Sequence, residues 1–500
     1  MSGLDNHEKS GYNSGSSDDG SQRGVAVFER PTGIKGFYHH PVTQVVMLGF
    51  VCFMGPGLFN ALNGLGAGGQ VDATTSANAN ATLYATFAAG AFFSGTVNNI
   101  LGSRITLLLG TTGYSLYIGA FLAMNIHPHA GAFVITAGAI LGICAGLLWT
   151  AQGSLMMAYA TESQKGKFIG IFWAIFNVGA VVGAAVSLGQ NFHSTSNSVG
   201  NGTYGFSQIG FLILTLIGVC IPLFMVNPEN MIRTDGTKVT TPRHPSWKTE
   251  IYGLWMTLVK DPMIILLFPM FFASNWFYAW QFNDFNNAFF NIRARSLNNL
   301  VYWLAQIVGS LAIGTLLDQK ILSRRTRAFS GWVILFLMTF IVHIWAYFYQ
   351  KQYTRESLPP DSTNKMDIFD HGYVGRIFLY IFCGLLDAMW QTTAYWIMGA
   401  MSNDPAKLAY FAGFYKSIQS AGGAGSWRAD AVKTPFMNMF ISTWVLLVAG
   451  LVFALPMIHL RVKDHTELAD ETLLRMDDSG RILDPSQVPR ERRVAVAAEN

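Results

Sequence analysis

Apolar segments of about 20 residues recur along this chain and constrain its fold more than any other feature. A helix needs about that length of mainly apolar sequence to cross a bilayer. Charged residues make up only 12% of the 500 residues, roughly half the fraction in soluble domains. The segments are 42–62, 80–101, 105–125, 131–158, 168–190, 206–227, 262–284, 298–318, 329–350, 373–398, 407–427 and 435–457. The pattern predicts an all-α membrane protein with twelve transmembrane helices.

Polar stretches divide the chain into five parts. The N-terminal tail, 1–37, is rich in Gly and Ser and is predicted to be disordered in the cytosol. Six spans form an N-terminal half, 38–227, and six more form a C-terminal half, 262–457. The central cytosolic loop, 228–261, joins them, and a charged cytosolic tail, 458–500, follows.

Lysine and arginine predict the orientation of the spans, because they are enriched in cytoplasmic loops. With the N-terminus in the cytosol, the inner loops of the first half contain Arg104, Lys165 and Lys167, and its outer loops contain no Lys or Arg. We therefore expect a multi-pass protein with both termini in the cytosol. Two glycosylation sequons, at Asn80 and Asn201, then face the outside or lumen, and both modification and chance occurrence remain open.

Three matches between the halves indicate an internal duplication. GTVNNILGSR (95–104) resembles GTLLDQKILSRR (314–325), GLLWTAQG (146–153) resembles GLLDAMWQ (384–391), and FWAIFNVGAVVG (172–183) resembles FYKSIQSAGGAG (414–425). The matches keep the same order in both halves, and they align Asn177 with Gln419. We therefore predict two pseudo-symmetric six-helix halves.

The first match resembles the inner-loop motif of the major facilitator superfamily, Gly-x-Leu-x-Asp-x-x-Gly-Arg-Arg. The first copy contains Gly95, Asn99 and Arg104, with Asn99 at the position where Asp is usual. The second copy contains Gly314 and Asp318 but lacks the second glycine. In that superfamily the motif holds the inner ends of helices together during alternating access. The resemblance implies the same fold and an inner gating motif here.

Longer stretches are similar to the uncoordinated-93-like family of that superfamily, in its fungal form. They are PMFFASNWFYAWQFNDFNNAFFNIRARSLNNLVYWLAQIVGS (269–310), YHHPVTQVVMLGFVCFMGPGLFNALNGLGAGG (38–69) and LLWTAQGSLMMAYATESQKGKFIGIFWAIFN (147–177). The resemblance covers roughly 38–460. It implies twelve helices in a membrane, in a family with members that regulate potassium channels or escort receptors and others that are treated as transporters.

Asp387 interrupts the tenth span, FCGLLDAMWQTTAYWIMGAM, and Lys416 interrupts the eleventh. A charged group at mid-membrane costs roughly 3 kcal/mol or more, so it usually faces a cavity or a partner. At helical rise, Asp387 lies about 17 Å and Lys416 about 14 Å from the cytosolic ends of their spans. Two interpretations are open. One is a titratable pair that lines a cavity and binds a proton or cation, and the other is a static ion pair.

Four amides are predicted to lie within the spans, namely Gln152, Asn177, Gln391 and Gln419, with two at equivalent places in each half. Polar groups around one centre are typical of a midplane binding site. The alternative is interhelical hydrogen bonding, worth about 0.6 kcal/mol per bond on average.

The stretch WFYAWQFNDFNNAFFN (276–291) combines aromatic and polar residues at the outer end of the seventh span. An aromatic belt at the membrane interface accounts for Trp276, Tyr278 and Trp280. Polar residues, among them Gln281, Asn283 and Asp284, are too numerous for a lipid-facing turn. We predict that the segment lines an outer vestibule, with contact to a partner protein as the alternative.

Absent motifs argue against other classes of protein. The sequence contains no phosphate-binding loop, no His-Glu-x-x-His and no Gly-x-Ser-x-Gly motif. Its four cysteines are scattered in apolar runs, which predicts no disulfide and no metal site. The net charge of +4 provides no argument for nucleic-acid binding. We therefore expect no enzyme and no cofactor.

Two functions remain open. The chain is either a secondary transporter of a small solute, with proton coupling near Asp387 and Lys416, or an accessory subunit that regulates or escorts an ion channel or receptor. The duplicated halves and the midplane polar groups favour transport, and the imperfect gating motif favours the accessory function.

Overall fold

The computed structural model describes residues 28–29, 31–64, 73–127, 129–161, 164–197, 201–239, 247–359, 362, 364–402 and 405–464. These residues form helices, joined by turns that contain two isolated β-bridges. The helices are α1 Gly33–Tyr38, α2 Pro41–Cys52, α3 Leu58–Gly64, α4 Ala73–Leu101, α5 Ser103–Ile126, α6 Gly131–Tyr159, α7 Lys165–Asn191, α8 Asn201–Phe224, α9 Trp247–Lys260, α10 Phe268–Ala273, α11 Ile292–Leu317, α12 Arg324–Gln350, α13 Tyr373–Met401, α14 Pro405–Ala431 and α15 Phe436–Arg461.

Eight helical segments in the described part of the chain are long and apolar enough to cross a bilayer. They are Pro41–Gly64, Ser103–Met124, Gly131–Tyr159, Lys165–Asn191, Ile292–Leu317, Arg324–Gln350, Tyr373–Met401 and Phe436–Arg461. Shorter apolar helices occur at Ile209–Phe224 and Pro262–Ala273. The predicted all-α, multi-pass membrane protein is therefore confirmed. Helices α4 and α14 have 29 and 27 residues but are rich in small and polar residues, which suits helix-to-helix packing.

The first predicted span is broken by a π-helical segment, Phe53–Gly57, between α2 and α3. Pro56 lies in this segment, lacks an N–H group and crowds the preceding turn, so the helix widens there. Gly57 allows a close approach to α7, because a Cβ atom at this position would lie 2.8 Å from the carbonyl oxygen of Phe176.

The seventh predicted span, 262–284, is also broken, which corrects the expectation of one continuous helix. A 3₁₀ turn, Pro262–Leu267, is followed by α10, and a π-helical segment, Ala279–Asn287, follows a turn. At the turn, the Ser274 hydroxyl donates to the carbonyl oxygens of Met270 and Phe271, so it competes with backbone amides for these acceptors. Corresponding spans broken in this way are typical of transporter binding sites.

Helices α2–α8 are called the N-terminal group below, and α10–α15 the C-terminal group. The two groups meet where small residues allow direct backbone contact. Between α4 and α14, a Cβ atom at Gly95 would lie 2.9 Å from the carbonyl oxygen of Ala409. Between α7 and α11, a Cβ atom at Gly166 would lie 2.6 Å from the carbonyl oxygen of Gly314. These contacts place α7, α11 and α14 around the candidate site.

The remaining predicted segments are described only in part. Residues 1–27 and 465–500 lie outside the described residues, so predicted disorder in the two tails stays a prediction. The predicted central loop, 228–261, contains α9 and a turn closed by a bridge between Ile232 and Lys238.

Candidate functional site

Asp387 lies on α13, is 1% exposed and accepts hydrogen bonds from four side chains. The hydroxyl groups of Tyr278 and Tyr302 each lie 2.9 Å from Oδ2, and Gln306 Nε2 lies 2.5 Å from the same oxygen. Gln391 Nε2 lies 3.3 Å from Oδ1. Such donors stabilise a carboxylate that has been removed from water.

Lys416 lies on α14, is 3% exposed and donates a hydrogen bond to Gln419 Oε1 at 2.7 Å. Its Nζ also lies over the aromatic rings of Trp149, Tyr395 and Tyr415, at 4.5, 5.4 and 4.8 Å from their centroids. The negative faces of these rings stabilise the ammonium group in a buried place. The ammonium group is therefore held by an amide oxygen and aromatic faces.

Two glutamines connect these charges, which do not form a direct ion pair within the described part of the chain. Gln419 Nε2 donates to Gln391 Oε1 at 2.8 Å, and Gln391 Nε2 donates to Asp387. Because Lys416 donates to Gln419, every bond runs from the ammonium group toward the carboxylate. Hydrogen bonds in such a chain polarise one another. We call Lys416, Gln419, Gln391 and Asp387 the polar relay.

The break in the seventh predicted span holds the polar relay in place. Gln391 Nε2 donates its second hydrogen bond to the Ser274 carbonyl oxygen at this break, at 2.9 Å. The Tyr415 hydroxyl group donates to Gln391 Oε1. Gln391 thus uses its amide nitrogen and oxygen on four neighbours, which fixes its orientation.

A cavity of about 70 Å³ lies against the polar relay. Its aromatic wall comes mainly from the N-terminal group and includes Phe59, Tyr114, Trp149, Trp173 and Phe176. Its polar wall comes mainly from the C-terminal group and includes Asn275, Tyr278, Gln306, Gln391, Lys416 and Gln419. A space of this size has room for a few water molecules, whereas sites that enclose an organic ligand have about 300 Å³ or more. The cavity is therefore too small for an organic solute in this structure.

Gln152 and Asn177, two of the predicted site residues, are buried outside the described cavity lining. Gln152 Oε1 accepts a hydrogen bond from the Tyr395 hydroxyl group at 3.4 Å, and Asn177 Nδ2 donates to the Trp173 carbonyl oxygen at 2.9 Å. In this structure the two amides of the N-terminal group therefore lie outside the described lining, whereas their C-terminal counterparts belong to the polar relay.

Three donors to Asp387 were missed by the sequence analysis. Tyr278 was attributed to an aromatic belt, and Tyr302 and Gln306 were not singled out. These last two residues are four apart on α11, which places both on the helix face toward Asp387. Two polar side chains four residues apart in an apolar span could have indicated this face from the sequence alone. Gln306 Oε1 also accepts from Trp173 Nε1 at 3.1 Å, which links the acid to α7.

The predicted outer vestibule is a packed cluster in this structure. Trp280, Gln281 and Asp284 are 1%, 3% and 0% exposed. Trp280 donates through Nε1 to Gln350 Oε1 at 2.7 Å, and Gln281 accepts from Tyr302 at 2.8 Å. Burial with specific partners also excludes an interfacial belt for Trp280. These partners come from helices distant in sequence, so the local pattern did not reveal them.

Trp276, Asn283 and Asp284 make further contacts within the same cluster. Trp276 Nε1 donates to the Ser442 hydroxyl group at 2.9 Å, and Asn283 Nδ2 donates to Asp430 Oδ2 at 2.7 Å. Arg355 forms salt bridges with Asp284, at 3.1 Å, and with Asp430. Arg355 follows α12, so these bridges tie the connection between α12 and α13 to the π-helical segment Ala279–Asn287 and to α14.

The second copy of the gating motif joins the two helix groups. Asp318 follows α11 and accepts hydrogen bonds from the first-turn amides of α7, with Gly166 N at 2.7 Å and Lys167 N as donors. Lys165 Nζ donates to the Gly399 carbonyl oxygen at 2.5 Å, near the end of α13. We call these five residues the inner contact. Burial raises the pKa of the Asp318 carboxyl to about 6, although the two amide hydrogen bonds oppose this rise.

The first copy of the motif acts mainly within the N-terminal group. Arg104 donates to the last carbonyl groups of α8, at Pro222 (3.3 Å) and Leu223, and to Asn227 Oδ1 (3.1 Å). Asn99 is 8% exposed. Of the predicted motif residues, Gly95 in this copy lies at the contact between groups, through its close approach to α14.

The sequon at Asn80 lies inside α4. Asn80 is 5% exposed, and its Oδ1 lies 3.4 Å from the Tyr117 hydroxyl group, which donates to it. Asn80 is therefore largely buried in the folded state, and its glycosylation stays a prediction. Asn201 is the first residue of α8, and its side chain lies outside the described residues.

Comparisons with known proteins place this geometry in a family. A model described as ion channel regulatory protein UNC-93 matches residues 68–455. A UNC93-like protein of Schizosaccharomyces pombe is 47% identical over 430 residues, which cover 86% of this chain and 84% of that protein. UNC93-like protein 1 of Arabidopsis thaliana is 38% identical over 433 residues, with coverages of 86% and 92%.

Solved structures of major facilitator superfamily transporters share the fold. The Escherichia coli fucose:proton symporter FucP has a TM-score of 0.56 and 12% identity, covering 83% of this chain and 98% of its own. The proton:xylose symporter XylE has a TM-score of 0.60 and 13% identity, with coverages of 87% and 99%. At such identities the similarity shows the fold alone.

Proposed function

The chain belongs to the UNC-93 family, and on that premise we propose that it is a secondary transporter that moves a small solute by alternating access. The observation that carries the proposal is the polar relay, which joins two buried charges beside a cavity between the helix groups. In this proposal twelve spans form two six-helix halves, with both termini in the cytosol. The fold and the family favour a transporter or a regulator over an enzyme.

Proton coupling is proposed at Asp387. A proton on this carboxyl removes the charge that holds its donors, and Gln306 is one of them. Gln306 also accepts the hydrogen bond from Trp173, which lies on the other helix group. Protonation therefore acts on a contact between the groups and biases one arrangement over the other.

The proposed inner gate is the inner contact defined above. It links α7 to α11 through Asp318 and α7 to α13 through Lys165. Opening the cavity toward the cytosol requires these bonds to break, while the closed state satisfies helix ends that otherwise lack partners. The inner contact thus supplies one of the two closed ends that alternating access needs.

The test compares cells that lack the protein with cells that carry wild type or Asp387→Asn at equal abundance. Small molecules in cells and medium are profiled without chosen targets. Asn keeps the size of Asp but cannot take the proton, so we expect at least one solute to shift with wild type and not with the variant. Asp370→Asn, the same change in an outer turn before α13, is the matched control and should behave as wild type. No wild-type shift, with every variant correctly placed in the membrane, would reject transport.

A second candidate function is an accessory subunit that regulates or escorts a channel or receptor. The observation that favours it is the description of the matching family model, ion channel regulatory protein UNC-93. Such a function depends on lipid-facing or loop surfaces and not on the polar relay. In a cell with a measurable partner current, an accessory subunit would keep its effect after Asp387→Asn, whereas a transporter would lose its solute shift.

A further inference from the structure

We propose that the solute is an aromatic carboxylate whose acidic group binds Lys416 and whose ring lies against the aromatic wall of the cavity. This inference rests on the proposed transport function and names the chemical class of the solute.

The first argument is the charge that faces the cavity. Lys416 is the charged residue among the described lining residues, and Asp387 is separated from the cavity by its own donors Tyr278, Gln306 and Gln391. A solute in the cavity therefore meets an ammonium group before it meets a carboxylate. In a site with little water, such a charge attracts an anion and repels a cation.

The second argument is the unused bonding capacity of Lys416. An ammonium group has three donors, and Gln419 Oε1 is its hydrogen-bond acceptor at 2.7 Å. Its other neighbours are aromatic ring faces, which bind a cation more weakly than a carboxylate does. A carboxylate can therefore be added to Lys416 without breaking the bond to Gln419.

The third argument is the wall beside this ammonium group. The Trp149 ring lies 4.5 Å from Lys416 Nζ and packs edge-on against Phe176, with centroids 5.2 Å apart. Trp173 continues the wall, with its centroid 6.4 Å from that of Trp149. Flat rings favour flat apolar partners, so when the helix groups move apart and the cavity widens, an acid bound at Lys416 is best matched by an aromatic body.

The polar relay then couples the solute to a proton. The positive charge of Lys416 acts on Asp387 along a chain of aligned hydrogen bonds, and a bound carboxylate neutralises that charge. Other titratable groups that act on Asp387 or are acted on by it are Tyr278, Tyr302, Tyr415 and Cys383. Anion and proton therefore bind with positive linkage, and each strengthens the other by the same factor.

The test measures binding by titration calorimetry on the full-length protein in lipid nanodiscs. The probes are benzoate, 2-naphthoate and indole-3-acetate, each beside its neutral amide, with 2-naphthylmethylamine as a cation. We expect at least one carboxylate to bind about tenfold more tightly than its amide, and more tightly at pH 6 than at pH 8. Tighter binding of the amide or amine, or no carboxylate binding up to millimolar concentration, would overturn the proposal.

Variants then locate the acidic group. Lys416→Gln should abolish the preference for the carboxylate over its amide, and Lys416→Arg should keep it. Lys351→Gln, the same change at an exposed site after α12, is the matched control. If Lys416→Gln does not fold, two results still test the proposal. They are the tighter binding of carboxylates by wild type at pH 6 than at pH 8, and the preference of Lys416→Arg for the carboxylate over its amide. Binding without uptake into proteoliposomes would reject transport and keep the anion site. Uptake of only neutral or cationic solutes would reject the anion site and keep transport.

Discussion

At the scale of single residues, Gln391 is the position on which the polar relay depends. It donates to Ser274 O and Asp387, and it accepts from Gln419 and Tyr415. Asp387 and Gln391 are four residues apart on α13, so both face the same neighbours. Removing this amide leaves several buried polar groups without partners at once.

Replacing Gln391 by Leu should therefore abolish proton-coupled uptake. The lost hydrogen bonds should also lower the free energy of unfolding by on the order of 3 kcal/mol, since each unpaired buried group has its own cost. Uptake into proteoliposomes and thermal unfolding in nanodiscs measure the two effects. The control is Gln44→Leu, a buried amide with partners at Tyr38 O and Val226 N away from the cavity, which should lower stability and keep uptake. Normal coupled uptake by Gln391→Leu would contradict the relay.

At the scale of elements, the ends of helices form the inner contact. Asp318 after α11 supplies acceptors to the free amides at the start of α7, and Lys165 in α7 supplies a donor near the end of α13. Each bond pairs a charge with the end of a helix dipole of opposite sign. The inner contact is therefore formed by hydrogen bonds at helix ends and by the direct backbone contact at Gly166 and Gly314, not by packing of large apolar side chains.

The inner contact should depend on pH through Asp318. Burial raises the pKa of this carboxyl from 3.8 to about 6 in the closed state. The closed state binds the proton more tightly, so closure is favoured as pH falls through about 6 toward 3.8 and weakened as pH rises. Spin labels at Lys167→Cys and Lys320→Cys should report a larger closed fraction at pH 5 than at pH 7. Asp318→Asn should remove that dependence, and its persistence would refute the assignment.

At the scale of the whole molecule, the two helix groups contribute different kinds of side chain to the cavity. The N-terminal group supplies most of the aromatic wall, and the C-terminal group supplies the polar relay. Few polar contacts join them there. They include Trp173 to Gln306 at 3.1 Å and Tyr395 to Gln152 at 3.4 Å. Outside the cavity, further hydrogen bonds join the groups, such as Asn299 Nδ2 to the Ala61 carbonyl oxygen at 3.1 Å, and a site that opens to one side must break those on that side.

Linking the groups at the inner contact should stop transport. A short flexible bis-maleimide between Lys167→Cys and Lys320→Cys prevents separation of α7 from α11, so solute uptake should fall to the level of cells without the protein. The control is a link within the C-terminal group, between Gln352→Cys and Arg376→Cys, whose native side chains lie 3.0 Å apart. Protein without added cysteines receives the same reagent. Undiminished uptake by the linked protein would argue against alternating access.

Sequence reasoning predicted the buried charges and their glutamines but did not foresee how the segment around Asp284 packs in this structure. Asp387, Lys416, Gln391 and Gln419 were recognisable because polar residues stand out in apolar spans. The segment around Asp284 was assigned to a vestibule because its polar residues had no visible partners. Its partners, such as Arg355, follow a different helix and become visible only when the chain is folded.

The sequence by itself determined that the chain is an α-helical membrane protein with its polar residues concentrated at particular depths, because hydropathy and helical length are local properties. The tertiary structure decided which of those residues form a site. Three donors to Asp387 lie 81, 85 and 109 residues away in the chain. They meet it because α11, α13 and the broken segment before α11 pack together, and such packing depends on the shapes of whole helices.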